Sequence, residues 1–270
     1  MEPRPLIMGV LNVTPDSFSD GGKYLDPDSA LTQALRLVAE GADIIDVGGE
    51  STRPGAAAVS AGEEIDRVIP VIDRIRGESD VAISIDTGKL EVARLALAAG
   101  ATIVNDVTGG ADPGLAALAA REGATVVLMH MRGNPRTMQD RPEYPRGVAC
   151  EVRDFLRDRV RAFEEAGVSR ECLWVDPGIG FGKTFEHNLL LLRCLGEFRG
   201  IGGRLVVGTS RKSFLARVAG DPQLPCGERE PGTLASGLWA LSQGAGVLRV
   251  HDVLAMRRAV ATWEAIRDAR

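Results

Sequence analysis

Lysine is scarce in this sequence: 4 residues against 28 arginines in a chain of 270. Histidine occurs 3 times, cysteine 4 times, and aromatic residues make up 4%. Each shortage excludes something. Cys150, Cys172, Cys194 and Cys226 share no C-x-x-C spacing, which argues against a zinc ribbon or dithiol motif and for reduced, mostly packed thiols. Few histidines and no closely spaced ligand set disfavour a dedicated metal cage. No apolar run approaches the ~18 residues that span a bilayer. The opening MEPRPLIMGVLNV lacks a basic stretch followed by a long apolar one, so no secretory leader is expected. A net charge of −5 runs against a nucleic-acid partner, which usually meets a basic domain. A cytoplasmic protein with no membrane association is expected.

What is present is regular. Short Val/Ile-rich runs recur, each ending in Asp, Asn, Gly or His: LIMGVLN (6–12), DIIDVGG (43–49), VAISID (81–86), TIVNDV (102–107), TVVLMH (125–130), LWVDPG (173–178), LVVGTS (205–210) and VLRVHD (247–252). Continuous apolar runs of this length fit strands buried on both faces, as in a parallel sheet. Amphipathic segments separate them. One places Leu31, Ala34, Leu35 and Val38 on one face, and the next places Ile65, Val68, Ile69 and Ile72. Pro70 should kink that second helix, and Gly100 is placed to cap the third. Eight strands alternating with eight helices in about 250 residues is the arithmetic of a single (β/α)8 barrel. A doubly wound open sheet is the competing reading. No linker or composition break appears, so residues 1–270 are expected to form one domain.

DPGIGFGKT (176–184) invites a phosphate-loop reading, but Pro177 stands where that loop needs its first glycine, and the Rossmann spacing fails too. A stronger signal comes from the strand ends. In a barrel they converge on one mouth, and here they carry Asn12, Asp46, Glu50, Asp86, Asn105, Asp106, His130, Asp176, Lys212, Arg249 and His251. A single Asp in such a position is often no more than a helix cap. A whole set is harder to dismiss, because apolar strands then stop repeatedly at groups costly to bury unpaired. Buried Asp86 and Asp176 would accept from two adjacent N–H donors, Asn105 offers donor and acceptor, and Lys212 offers donors to a carbonyl oxygen or ring nitrogen. The set complements a flat heterocycle. Arg249 and His251, two apart on a strand, would share a face and suit an anion such as pyrophosphate. Asn12 could help hold Mg²⁺ beside phosphate oxygens. Two Gly/Pro-punctuated loops would cover the mouth, one with Phe18 and Asp20, the other with Thr52, Arg53 and Pro54.

The stretches NVTPDSFSDGG, DVGGESTRPGA, SIDT, NDVTGG, LMHMRG, DPGIGFGKT, GTSRKSF and RVHDV, in this order from the first strand to the last, resemble the dihydropteroate synthases, folate-pathway enzymes targeted by sulfonamides. The resemblance implies a (β/α)8 transferase, homodimeric through its later helices. It would join 6-hydroxymethyl-7,8-dihydropterin diphosphate to 4-aminobenzoate and release pyrophosphate. It implies a pterin pocket of Asp86, Asn105, Asp176 and Lys212, lined by Val107, Met129 and Gly208. It implies Mg²⁺ at Asn12, diphosphate at Arg249 and His251, and an aminobenzoate site of Thr52, Arg53, Pro54, Phe181, Lys212 and Ser213. Phe18 and Asp20 would belong to the ordering first loop, and Asp20, Lys212, Arg249 and His251 would carry the catalysis.

Three rival readings remain weaker. A Schiff-base aldolase would need Lys212 neutralised, whereas Asp86 and Asp176 are expected to keep it charged. A pterin-dependent methyltransferase has no evident need for STRPG or the Arg249/His251 pair. A non-catalytic paralogue should have lost one of the loops or anion residues, and none is lost.

Overall fold

The computed structural model describes residues 4–14, 27–51, 56–133, 137–138 and 142–269. Eight parallel strands close into a barrel in chain order: β1 (Leu6–Asn12), β2 (Ile44–Gly48), β3 (Ala82–Asp86), β4 (Ile103–Asp106), β5 (Thr125–Met129), β6 (Leu173–Asp176), β7 (Arg204–Val207) and β8 (Val247–Val250). β1 pairs with both β2 and β8, so the described sheet has no edge and the open-sheet alternative is excluded.

The helices are α1 (Pro27–Ala39), α2 (Ala61–Glu78), α3 (Leu90–Ala98), α4 (Gly114–Glu122), α5 (Val148–Glu165), α6 (Phe185–Arg193), α7 (Ser213–Val218), α8 (Glu230–Ser242) and α9 (Val253–Arg267). One expectation needs correcting: the sequence reads as eight helices, and a further one, six-residue α7, which begins directly after Lys212, is too short for helical periodicity to stand out in SFLARV. Pro70 lies inside α2, which is helical from Ala61 to Glu78. Proline deprives the Asp66 carbonyl of its donor, but both residues are exposed, so water can supply the missing bond. Gly100 does follow α3 in a left-handed conformation, φ 108°, its N–H bonded to the Leu97 carbonyl.

Strand alternation sorts the core into two parts. Ile7, Ile45, Ile83, Val104, Val126, Val175, Leu205 and Leu248 point outward into the layer shared with the helices. Met8, Ile44, Ile103, Val127, Trp174, Val206 and Val247 point inward and fill the lower barrel. Two residues beyond this plug, the inward positions become polar. Asn12 lies opposite Gly48, Gly48 opposite Asp86, and Asp86 opposite Asn105, so a polar row crosses four strands at the C-terminal mouth. Among the described residues no helix is long and apolar enough to cross a membrane. All four cysteines are free thiols; Cys226 is exposed, while the other three are partly covered.

Candidate active site

Arg249 is the hub of the mouth. It rises from β8 and turns inward: its Nε donates to Asp46 Oδ2 at 2.6 Å and its Nη2 to Asp86 Oδ2 at 2.7 Å. Asp46 Oδ2 also accepts from Asn105 Nδ2 at 3.1 Å. A cation between two buried carboxylates is well matched in charge, but not in hydrogen bonds. Asp46 Oδ1 and Asp86 Oδ1 are both buried without a partner. Orphaned acceptors of this kind are rare in folded proteins and mark where another donor belongs. Burial pushes the Asp86 carboxyl up to about 7, with Arg249 pulling it down and Asp46 adding to the rise. Burial disfavours the Arg249 charge, yet Asp46 and Asp86 outweigh it and hold the guanidinium cationic.

Across the mouth, Asp176 ends β6 opposite Met129. Its Oδ1 accepts from the Gly178 N–H at 2.7 Å. Burial raises its pKa, opposed by Lys212, the Gly178 N–H and Lys183. Lys212, half-buried, donates to the Ile179 carbonyl and places its Nζ 4.7 Å from the Phe181 ring centre. Of the two carboxylates expected to keep it charged, Asp176 does favour the ammonium. Burial is the larger influence and lowers Lys212 to about 8, with Asp176 pulling it back up and Arg249 pushing it further down. Lys212, Ser213, Phe214 and Arg217 line an open cleft of about 460 Å³ running between the α6 and α7 starts.

Arg249 and His251, two apart at the end of β8, each have a partner within the protein. Arg249 is committed to Asp46 and Asp86, while the His251 Nδ1 sits 2.9 Å from Ser210 Oγ. Val107, half-buried, and Met129 and Gly208, both buried, sit at inward-facing positions of their strands or just beyond them. The Asn12 side chain forms no hydrogen bond among the described residues. Phe18, Asp20, Thr52, Arg53 and Pro54 lie outside the described residues.

Three strand-end residues assigned to the mouth belong elsewhere. Asp106 and His130 follow inward Asn105 and Met129 by one residue, so they face the helices. Asp106 accepts from the Thr108 N–H, the Thr108 hydroxyl and the Gly110 N–H, each at 2.7 Å. His130 packs edge-on to Phe155 with ring centres 5.0 Å apart. Glu50 pairs with Lys89 at 2.6 Å and accepts from the Val59 N–H at 3.0 Å.

Lys183, dismissed with the failed phosphate-loop motif, has a structural task instead. It is 2% exposed. Its ammonium meets His130 Nδ1 at 2.9 Å, the His130 carbonyl at 3.1 Å and the Phe181 carbonyl at 2.9 Å, which uses all three donors. Burial drives its pKa well below the usual lysine value, with Asp176 opposing. Burial and Lys183 together depress His130 to about 2, so its imidazole stays neutral and accepts. Lys183 thereby clamps the 178–182 loop from behind. The loop lies so close to β5 that a Cβ on Gly178 (φ 68°) would come within 1.9 Å of the His130 carbonyl oxygen.

Comparison with known proteins agrees with this geometry. The pterin binding enzyme family matches residues 8–251. A dihydropteroate synthase of Synechocystis sp. is 48% identical over 254 residues, covering 94% of this chain and 87% of its own. Among solved structures, Xanthomonas albilineans dihydropteroate synthase with 4-aminobenzoic acid superposes with a TM-score of 0.92 at 44% identity, covering 99% of this chain and 94% of that one. The same enzyme in complex with 7,8-dihydropteroate gives a TM-score of 0.88 at 40% identity, with 99% and 95% covered.

Proposed function

The chain belongs to the pterin binding enzymes and, within them, to the dihydropteroate synthase family, and from that premise we propose that it joins 6-hydroxymethyl-7,8-dihydropterin diphosphate to 4-aminobenzoate, giving 7,8-dihydropteroate and pyrophosphate. The observation that carries the reading is the unpartnered Asp86 Oδ1 at the mouth, in one row with Asn105 and facing a buried Asp176. A pterin edge brings the N–H donors that this acceptor set lacks. The relatives bound to 4-aminobenzoic acid and to 7,8-dihydropteroate support the same substrate and the same product.

The chemistry follows from the charges. The bond between the pterin methylene carbon and the diphosphate oxygen breaks, and its electron pair leaves with the oxygen. Positive charge grows on the methylene carbon and spreads into the electron-rich ring, which Asp86 and Asp176 stabilise as carboxylates. Arg249 and His251 bind the departing anion. The aminobenzoate nitrogen then donates its lone pair to the carbon and releases a proton to solvent. Lys212 stands between the two half-sites as a donor, and its contacts with the Ile179 carbonyl and the Phe181 ring use it as a cation rather than a nucleophile. No covalent enzyme intermediate is needed. Phe18, Asp20, Thr52, Arg53 and Pro54 complete this reading as loop residues that shield the cation from water and shape the aminobenzoate site.

The donor set also fits a magnesium ion carried mainly by the substrate. The described residues contain no group of three His, Cys, Asp or Glu side chains able to hold a metal, while Asn12 offers one uncommitted amide oxygen. Asn12 would hold the ion, which would neutralise charge on the diphosphate. Exposed Leu189 and Leu190 on α6, Val218 on α7 and Trp239 on α8 support a homodimer through the later helices. Four free thiols support a reducing, cytoplasmic setting.

Purified protein supplied with Mg²⁺, the pterin diphosphate and 4-aminobenzoate should release one pyrophosphate per dihydropteroate formed. Folded protein that shows no turnover under these conditions overturns the assignment.

A further inference from the structure

Asp46 is fully buried and bonds two side chains assigned to the substrate, Asn105 and Arg249. We propose that Asp46 is a positioning residue, which fixes the plane of Arg249 and the orientation of the Asn105 amide. The proposal rests on the reading of Arg249 as a diphosphate ligand.

The geometry distinguishes the nitrogens of the guanidinium. Nε, the nitrogen nearest the backbone, is held by Asp46, while Nη2 is lent to Asp86 and Nη1 has no hydrogen bond among the described residues. A planar group held at Nε and at one terminal nitrogen cannot rotate freely. When the N–H edge of the heterocycle claims Asp86, Nη2 is released but the Asp46 bond remains. Arg249 then keeps its plane and presents both terminal nitrogens to the anion. Asp46 therefore acts as a pivot that lets one arginine change partners without losing position.

The same carboxylate oxygen sets Asn105. Asp46 Oδ2 accepts from Arg249 Nε and from Asn105 Nδ2, so the amide turns its nitrogen to Asp46. The Asn105 Oδ1 is left as the group toward the pocket. This sharpens the expectation that Asn105 offers both donor and acceptor: one donor is already committed to Asp46. Two strands on opposite sides of the barrel, β4 and β8, are thus aligned through a single oxygen of β2.

The test is calorimetric binding of the pterin diphosphate and of 6-hydroxymethyl-7,8-dihydropterin, which lacks the diphosphate. Asp46→Asn preserves shape and removes charge. It should weaken the diphosphate ligand about tenfold, or ~1.4 kcal/mol, and the bare pterin by less than about threefold, with thermal unfolding confirming the fold. In an Arg249→Ala background the same substitution should cost less than about twofold for either ligand, since the positioned group is gone. Equal losses for the two ligands, or the full tenfold loss without Arg249, overturn the proposal. If Arg249→Ala alone weakens both ligands equally, the anion assignment falls and the proposal falls with it. Should Asp46→Asn not fold, Arg249→Lys replaces it: that side chain keeps the charge but has no Nε–H, and is expected to lose at least about fivefold in preference for the diphosphate. Full retention of that preference overturns the proposal.

Discussion

The inner and outer faces of the barrel mouth both bury charge, and they treat it oppositely. Outside, Lys183 gives all three donors to His130 and Phe181, and Asp106 receives three bonds from its own loop. Inside, Asp46 and Asp86 each leave an oxygen with no partner although Arg249 and Asn105 stand beside them. Charge alone would not separate the two regions. Hydrogen-bond completeness does: a closed set holds loops together, while an open set is waiting for a ligand. Outside the mouth other buried atoms are also unpartnered, among them Glu64 Oε1, whose Oε2 binds Lys89, Arg159 Nε and Glu230 Oε1, so the contrast is one between the Lys183 and Asp106 sets and the Asp46–Asp86 set.

The largest expected effect tests the open set. Asp86→Asn keeps the shape and removes the acceptor charge, so pterin affinity should fall ~10²–10³-fold, the scale of losing a buried charge-assisted contact. Stability should move the other way. With its pKa raised above the unfolded value, Asp86 contributes stability below about pH 4 that is lost as pH rises through about 7. At pH 8 the variant should therefore melt no lower than the parent. A large drop in melting temperature with unchanged affinity would make Asp86 part of the closed set.

The same titration predicts a pH dependence. The pterin donates to the ionised carboxylate, so the free protein must release a proton near pH 7 to bind it. Affinity measured from pH 8 to pH 5 should fall progressively below about 7, by about tenfold per pH unit at the acid end. Asp86→Asn should flatten this limb.

The smallest effect on binding is expected on the closed side. Lys183→Met leaves two carbonyls and an imidazole nitrogen without donors, and should cost about 1–3 kcal/mol of stability, read as a fall in melting temperature. Pterin affinity should change far less than in Asp86→Asn. An equal or larger loss of affinity would erase the contrast between the two faces.

Much of this protein was legible before folding was considered. Apolar runs at regular spacing, separated by amphipathic segments, specify strands buried on both faces and helices that cover them, and eight such units leave few arrangements other than a closed barrel. Asp86, Asn105 and Asp176 could be placed together at the mouth because every parallel strand of a barrel ends at the same side. Alternation within each strand was also in the sequence: it sends Asn105 inward and Asp106 outward, Met129 inward and His130 outward, and reading strand ends without it merged two different regions. Tertiary structure alone decided the partners. The orientation of Arg249 depends on Asp46, 203 residues away, and the charge of Lys212 depends on how deeply neighbouring loops enclose it. Neither is encoded locally, because hydrogen-bond partners and desolvation are set by which distant segments meet. Local sequence fixes where a strand ends and which way its last side chain points; only the closed barrel determines whether that side chain finds its bonds within the protein or must take them from a substrate.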